Sequence, residues 1–228
     1  MGRDNQPKRR QQARKLRKEA QRAPYPRILI VSEGSKTEPH YFEEIRAAYR
    51  LHSANVQVQP SALGTEPIQV VEYAQQLFEQ GDIQKGIRPR SFDRVYAVFD
   101  RDDHRTYFDA LGLAESLNKS IRNDERDQVE FRAVASVPCF ELWLLLHFED
   151  LLAPIHRDEV MRRLKSHMPD YEKGGRQSFA DTRSCLDQAM KRATALANRF
   201  NAHSAPEPYT AVHELVESLI TLKGGKKQ

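Results

Sequence analysis

The run Arg94-Val95-Tyr96-Ala97-Val98-Phe99-Asp100-Arg101-Asp102-Asp103-His104 constrains the fold more than any other stretch of the chain. Val95 to Phe99 is β-branched, aromatic and apolar, the pattern of a buried strand. It runs straight into carboxylates that an apolar core does not hold, so the strand must end at the surface. On an extended backbone alternate side chains share a face, which groups Asp100, Asp102 and His104 and sends Asp103 the other way. Neighbouring carboxylates repel unless water or a cation lies between them, and oxygen ligands of this kind suit Mg2+ or Mn2+. A polar turn closing a strand has the same composition. The chemical reading therefore depends on a second acidic element.

That element follows the first strand. Arg27-Ile28-Leu29-Ile30-Val31 is a short unbroken apolar run, expected of a strand covered on both faces. Ser32-Glu33-Gly34-Ser35-Lys36-Thr37-Glu38-Pro39 then turns into a helix, with Thr37 as its N-cap and Phe42, Ile45 and Tyr49 on one stripe. The alternation continues. Val56-Gln57-Val58 reads as a strand, and Gly64-Thr65-Glu66-Pro67 opens a helix lined by Ile68, Val71, Ala74 and Phe78 that Gly81 ends. The 95–99 strand is third, Tyr107 to Arg122 a helix weakened by Gly112, and Glu130 to Val137 a fourth strand.

This order predicts an α/β fold, a mostly parallel sheet flanked by helices. Ligands of such sheets bind beyond the carboxyl ends of the strands, so Glu33, Asp100 and Asp102 are expected on one edge. Pro138 to Phe148 reads as a deeply packed helix, apolar nearly all round. Its Glu141 either favours the positive helix end or faces the acidic cluster. Beyond Asp150 the pattern predicts helices over Asp158 to Met168, Ser178 to Phe200 and Tyr209 to Leu222. A flexible Lys173-Gly174-Gly175-Arg176 loop lies among them. The chain thus divides into a basic, disordered tail (1–24), an α/β domain (25–150) and a helical C-terminal region packed on it (151–228).

Charge separates the tail from the rest. Residues 1–22 carry nine Lys or Arg against Asp4 and Glu19, a net +7 in a chain of +4, leaving −3 elsewhere by difference. Such an arm gains counterion-release free energy on a phosphate backbone. Arg9, Arg10, Arg14, Lys15, Arg17 and Lys18 are therefore candidate nucleic-acid contacts. Only two cysteines are present, Cys139 and Cys185, no apolar run reaches membrane length, and the N-terminus has no hydrophobic signal core. These features predict a cytoplasmic chain with no membrane association.

Glu33, Asp100 and Asp102 together fit metal-assisted phosphoryl transfer, holding one or two divalent ions against a phosphodiester. Glu33 could instead act as general acid or base. Lys36 lies near a helix N-terminus, where it could meet a phosphate oxygen. Glu38, Asp103, His104 and Glu141 are accessory candidates. Gly34-Ser35-Lys36-Thr37 has the ending of a phosphate-binding loop, but the first glycine of that motif is missing.

Four segments together resemble the RloB-like family: Val31 to Phe42, Asp100-Arg101-Asp102, Ser136 to Phe148, and Pro208-Tyr209-Thr210-Ala211-Val212-His213-Glu214-Leu215-Val216. They span nearly everything after the basic tail. Family members usually carry Asn where this chain has Val137. The resemblance implies a fold similar to the topoisomerase–primase (TOPRIM) domain, in which a glutamate after strand one and a paired-aspartate motif bind Mg2+. The matching positions here are Glu33, Asp100 and Asp102. It also implies a place in phage defence, beside an ABC-type ATPase. The expected function is a Mg2+-dependent (or Mn2+-dependent) nuclease acting on DNA or RNA, tRNA included. The alternative is a non-catalytic nucleic-acid-binding or ATPase-docking subunit with a structural metal site.

Overall fold

β1 (Ile28–Ser32) is buried at every position, as an unbroken apolar run must be when helices cover both faces of its sheet. The computed structural model describes residues 25–224, and the basic stretch with its candidate contacts Arg9, Arg10, Arg14, Lys15, Arg17 and Lys18 lies outside them. β2 (Val56–Pro60) and β3 (Arg94–Asp100) flank β1 in parallel, and β4 (Glu130–Val137) extends the parallel ladder from β3. β5 (Tyr209–Thr210) pairs antiparallel with β4, giving the order β2-β1-β3-β4-β5. A helix was expected from Tyr209. Two residues of strand are too few to register as a period of two, so the pairing leaves no trace in the sequence pattern.

The crossovers are α1 (Thr37–Ala48), α2 (Pro67–Gln80) and α3 (Tyr107–Leu117). On one face α2 packs against β1 and β3, and α3 against β4 and α2. On the other, α1 lies against β2 and against the C-terminal helix α8 (Val212–Ile220), which covers β4. Thr37 is the first helical residue of α1 instead of its cap, which is Lys36. The Thr37 hydroxyl is engaged elsewhere, accepting from the Gly174 N–H at 2.8 Å. α2 starts within the segment expected to open it, with Glu66 as cap and Pro67 in the first position, and Gly81 (φ +70) closes it. α3 passes through Gly112 and ends at Leu117, short of Arg122, where Asn118 leaves helical backbone.

The apolar run after Pro138 is helical only over α4 (Glu141–Leu145). It then tightens, with His147 N–H donating to Leu144 and Phe148 N–H to Leu145. Its burial is as expected. Trp143 Nε1 donates to the Tyr41 hydroxyl at 2.7 Å, and Tyr41, Phe42, Phe140 and Phe179 meet edge to face. α5 (Arg157–His167), α6 (Ser178–Thr182) and α7 (Leu186–Ala197) follow. The helix expected from Ser178 to Phe200 is thus two, parted by a 3-10 turn at Arg183–Cys185. Leu151, Val160, Leu164, Phe179, Val212 and Leu215 share one buried cluster with the sheet, so residues beyond 150 contribute to its core. No described helix is long and apolar enough to cross a membrane.

The amino edge of the sheet holds a satisfied ion cluster. Buried Arg27 donates to Asp93 at 2.7 Å and to Asp124 at 2.8 Å. Burial works against its charge, but hydrogen bonds and attraction to these two aspartates raise its pKa. The carboxyl edge is different.

Candidate functional site

The chain leaves β1 toward β2 but leaves β3 toward β4, so the strand order reverses between β1 and β3. Such a reversal opens a crevice at the carboxyl ends, where loops depart in opposite directions. Glu33 continues the ladder one residue past β1, its N–H donating to the Val98 carbonyl at 2.9 Å. The Asp100 N–H donates to Glu33 Oε2 at 3.0 Å, which fixes the Glu33 carboxylate over the end of β3.

Two further carboxylates join them. Glu38 comes from the first turn of α1 and Glu141 from the first position of α4, and both are buried, as is Asp100. Burial, then the charges of Glu38, Glu33 and Glu141, hold the Asp100 carboxyl well above its ordinary range; the Phe140 backbone hydrogen bond opposes this. Burial likewise pushes Glu38 up to about 7, aided by Glu141 and Glu33 and opposed by a backbone hydrogen bond and Lys173. Gly34 makes the Glu38 position possible: a Cβ there would lie 2.0 Å from Glu38 Oε2.

Cations stand at the rim. Lys36 and Lys173 border the same cleft, of about 500 Å3, together with Ser61 and Gly174. Lys173 Nζ is 3.7 Å from Glu141 Oε1, and the Tyr171 hydroxyl donates to the same oxygen at 3.2 Å. The loop bearing Lys173, expected to be flexible, is pinned to α1. Gly174 bonds Thr37, His40 Nδ1 lies 3.4 Å from the Gly175 carbonyl, and Glu44 accepts from the N–H groups of Gln177, Phe179 and Ala180. Gly174 has φ +83, and a Cβ there would approach the Lys36 stem to 3.1 Å.

His104 is bracketed by carboxylates. Its Nε2 lies 3.3 Å from Glu33 Oε1 and its Nδ1 3.1 Å from Glu66 Oε1, while the Thr106 hydroxyl donates to Glu66 Oε2 at 2.8 Å. Hydrogen bonds from Thr106 and His104 lower the Glu66 pKa. In the sequence Glu66 figures only as part of the segment that opens α2. Its placement after β2, on the same edge as the other carboxylates, was the available signal.

Asp102 departs from expectation. The Arg101 N–H donates to the Ser136 carbonyl at 2.7 Å and the Asp102 N–H to the Pro138 carbonyl at 3.0 Å. The chain past β3 therefore follows the end of β4 and turns, with φ +33 at Asp102. Its carboxylate pairs with Arg157, and Asp102 and Asp103 line a separate pocket. Strand alternation does not extend through such a turn, so Asp100 and Asp102 do not share a face. Glu38 and Glu141 stand beside Asp100 and Glu33 instead. Among the described residues no three His, Cys, Asp or Glu side chains are arranged as an ion site.

No curated protein and no solved structure matches the chain significantly. A sequence model of the RloB-like protein family matches residues 28–219, from the first residue of β1 to within α8, and the chain belongs to that family.

Proposed function

We propose that the chain is a divalent-metal-dependent nuclease of TOPRIM type, hydrolysing phosphodiesters of DNA or RNA, in phage defence with an ABC-type ATPase as partner. The observation that carries this reading is the crowding of Glu33, Glu38, Asp100 and Glu141 at the β1–β3 crevice, where burial first and then their mutual charges raise the pKa values of Asp100 and Glu38. Buried like charges of this kind call for a cation. An all-oxygen donor set fits Mg2+ or Mn2+, and these four residues would hold it. When bound, such an ion supplies charge neutralisation and Lewis-acid polarisation of the phosphodiester.

The remaining groups suit the same substrate. Lys36 and Lys173 border the cleft where phosphate oxygens would lie and can orient them by charge-assisted hydrogen bonds. His104, held between Glu33 and Glu66, is placed to accept or return a proton beside the acidic cluster. Glu66 and Thr106 fix the orientation of that ring.

The test is a titration of Mg2+ and Mn2+ into the purified chain. Melting temperature and cleavage of labelled DNA and RNA panels, tRNA included, are followed with and without the co-purified ATPase. Wild type should gain stability with metal and cut. Asp100→Asn should raise the metal-free melting temperature by roughly 2–4 °C, the shift that about 1 kcal/mol produces at this chain length. It should also lose both metal responses. A wild type indifferent to both ions would overturn the nuclease reading. Lys173 favours the second reading, a non-catalytic nucleic-acid-binding or ATPase-docking subunit, because its ammonium already offsets part of the Glu141 charge. That subunit would bind nucleic acid equally well in EDTA and leave it intact.

A further inference from the structure

The turn that carries Asp102 away from the acidic cleft forms one wall of a second pocket, of about 270 Å3. The end of β4, the start of α5 and the segment at Pro206 form the others. Its lining combines apolar groups, Pro138, Ile155 and Pro206, with the basic side chains Arg101, His156 and Arg157 and the carboxylates Asp102 and Asp103. The Arg101 guanidinium rests over the Tyr107 ring at 5.3 Å, and its Nη1 donates to the carbonyls of Asp102 and His104. Its Nε is buried with no hydrogen-bond partner. An unpartnered charged donor is costly, so this guanidinium holds donor capacity that its carbonyl partners leave unused. Arg157 stands half-exposed, and Asp102 is its partner.

We propose that this pocket binds one nucleoside monophosphate unit. Arg157 and Arg101 hold the phosphate, and the ring lies against Pro138, Ile155 and Pro206. Guanidinium groups match phosphate geometry by paired N–H donors, and apolar walls suit a planar ring. Asp102 is the internal competitor, occupying Arg157 until a phosphate takes its place. The unit is either a residue of a bound strand or a free mononucleotide. Asp100 and Asp102 lie two residues apart, at most about 7 Å between Cα atoms. A strand crossing the acidic cleft would therefore set its next nucleotide in this pocket, a placement that rests on the nuclease reading.

The experiment titrates AMP, GMP, CMP and UMP into the full chain by calorimetry in EDTA, with inorganic phosphate and a short oligonucleotide as competitors. Saturable mononucleotide binding is expected, tighter than that of phosphate alone. Arg157→Gln and Arg101→Gln should each weaken it at least tenfold. Asp102→Asn should tighten it, because Arg157 loses its competitor; general damage to the fold would not produce effects of opposite sign. Competition by the oligonucleotide identifies a strand residue as the source, and independence from it identifies a free nucleotide. Absent binding, or binding unchanged in Arg157→Gln and Asp102→Asn, overturns the proposal. EDTA and Asp100→Asn should leave this binding intact, so failure of the nuclease reading and failure of the pocket give different results.

Discussion

At the residue scale, two acidic clusters in one fold have opposite electrostatics. Asp93 and Asp124 surround buried Arg27 and are satisfied. Glu38 and Asp100 are buried among other carboxylates, with Lys173 half-exposed nearby. The sign of the resulting pH dependence follows from Glu38. Its folded value of about 7 lies above the ordinary 4.5. Its contribution to stability is thus full below about 4.5 and lost as pH rises through 7. His147 acts in the opposite sense. Burial pushes it down to about 4 from 6.5, against hydrogen bonds from its ring to the Trp143 and Leu144 carbonyls. Its contribution is present above 6.5 and lost as pH falls through 4. The wild-type profile mixes both groups, so the Glu38→Gln difference isolates the first. In EDTA the two proteins should melt alike near pH 4.5, and the variant should be more stable at pH 8, by on the order of a few kcal/mol. A difference that stays constant from pH 5 to 8 would show that the fold does not perturb Glu38. Glu33 and Asp100 were legible because an apolar run ends one or two residues before each of them. Asp102 was misplaced because alternation was carried past the end of its strand. Glu66 was not singled out because its partner His104 is 38 residues away, a contact that no local pattern encodes.

At the element scale, the strands of the parallel sheet and the positions of the helices were legible, from unbroken apolar runs and from helical periods. What was missed is the strand β5, with two residues, and the 3-10 break that parts α6 from α7, both of them fixed by tertiary partners. The Lys173–Arg176 loop makes the same point. Its glycines read as flexibility, yet they let the backbone come close enough to α1 for Thr37, His40 and Glu44 to hold it. Glu44 is the main clamp, accepting three N–H groups at the start of α6, the position where a carboxylate is best placed. Glu44→Ala should cost about 1–3 kcal/mol, the range for losing charge-assisted hydrogen bonds. It should also raise hydrogen exchange of the 173–180 amides above that of α1, and Glu44→Gln should recover part of both effects. Unchanged exchange in Glu44→Ala would mean that the glycine contacts hold the loop without the clamp.

At the scale of the whole molecule, the proposed substrate and the chain beyond residue 22 carry charge of the same sign. Residues beyond 22 sum to about −3, and the crevice concentrates four carboxylates where a phosphodiester would have to approach. Lys36 and Lys173 offset this only at the rim. Removing the C-terminal helix is no route to a partner-binding assay, because Val212, Leu215, Val216 and Leu219 are core. The basic N-terminal stretch is a cleaner probe, since its +7 is what reverses the sign of the chain. Its deletion should weaken binding to nucleic acid most at low salt. Each phosphate contact contributes about 0.9 to the slope of log affinity against log salt, so losing half of the nine basic groups as contacts would flatten it by about 4. Metal-dependent melting should be the same with and without residues 1–22, because the four carboxylates lie in the α/β part. Binding of a labelled duplex and a labelled single strand across a salt series, in both proteins, measures the slope directly. An equal slope in the two would assign phosphate contact to the folded surface, where Lys36, Lys173, Arg101 and Arg157 are the groups positioned to make it.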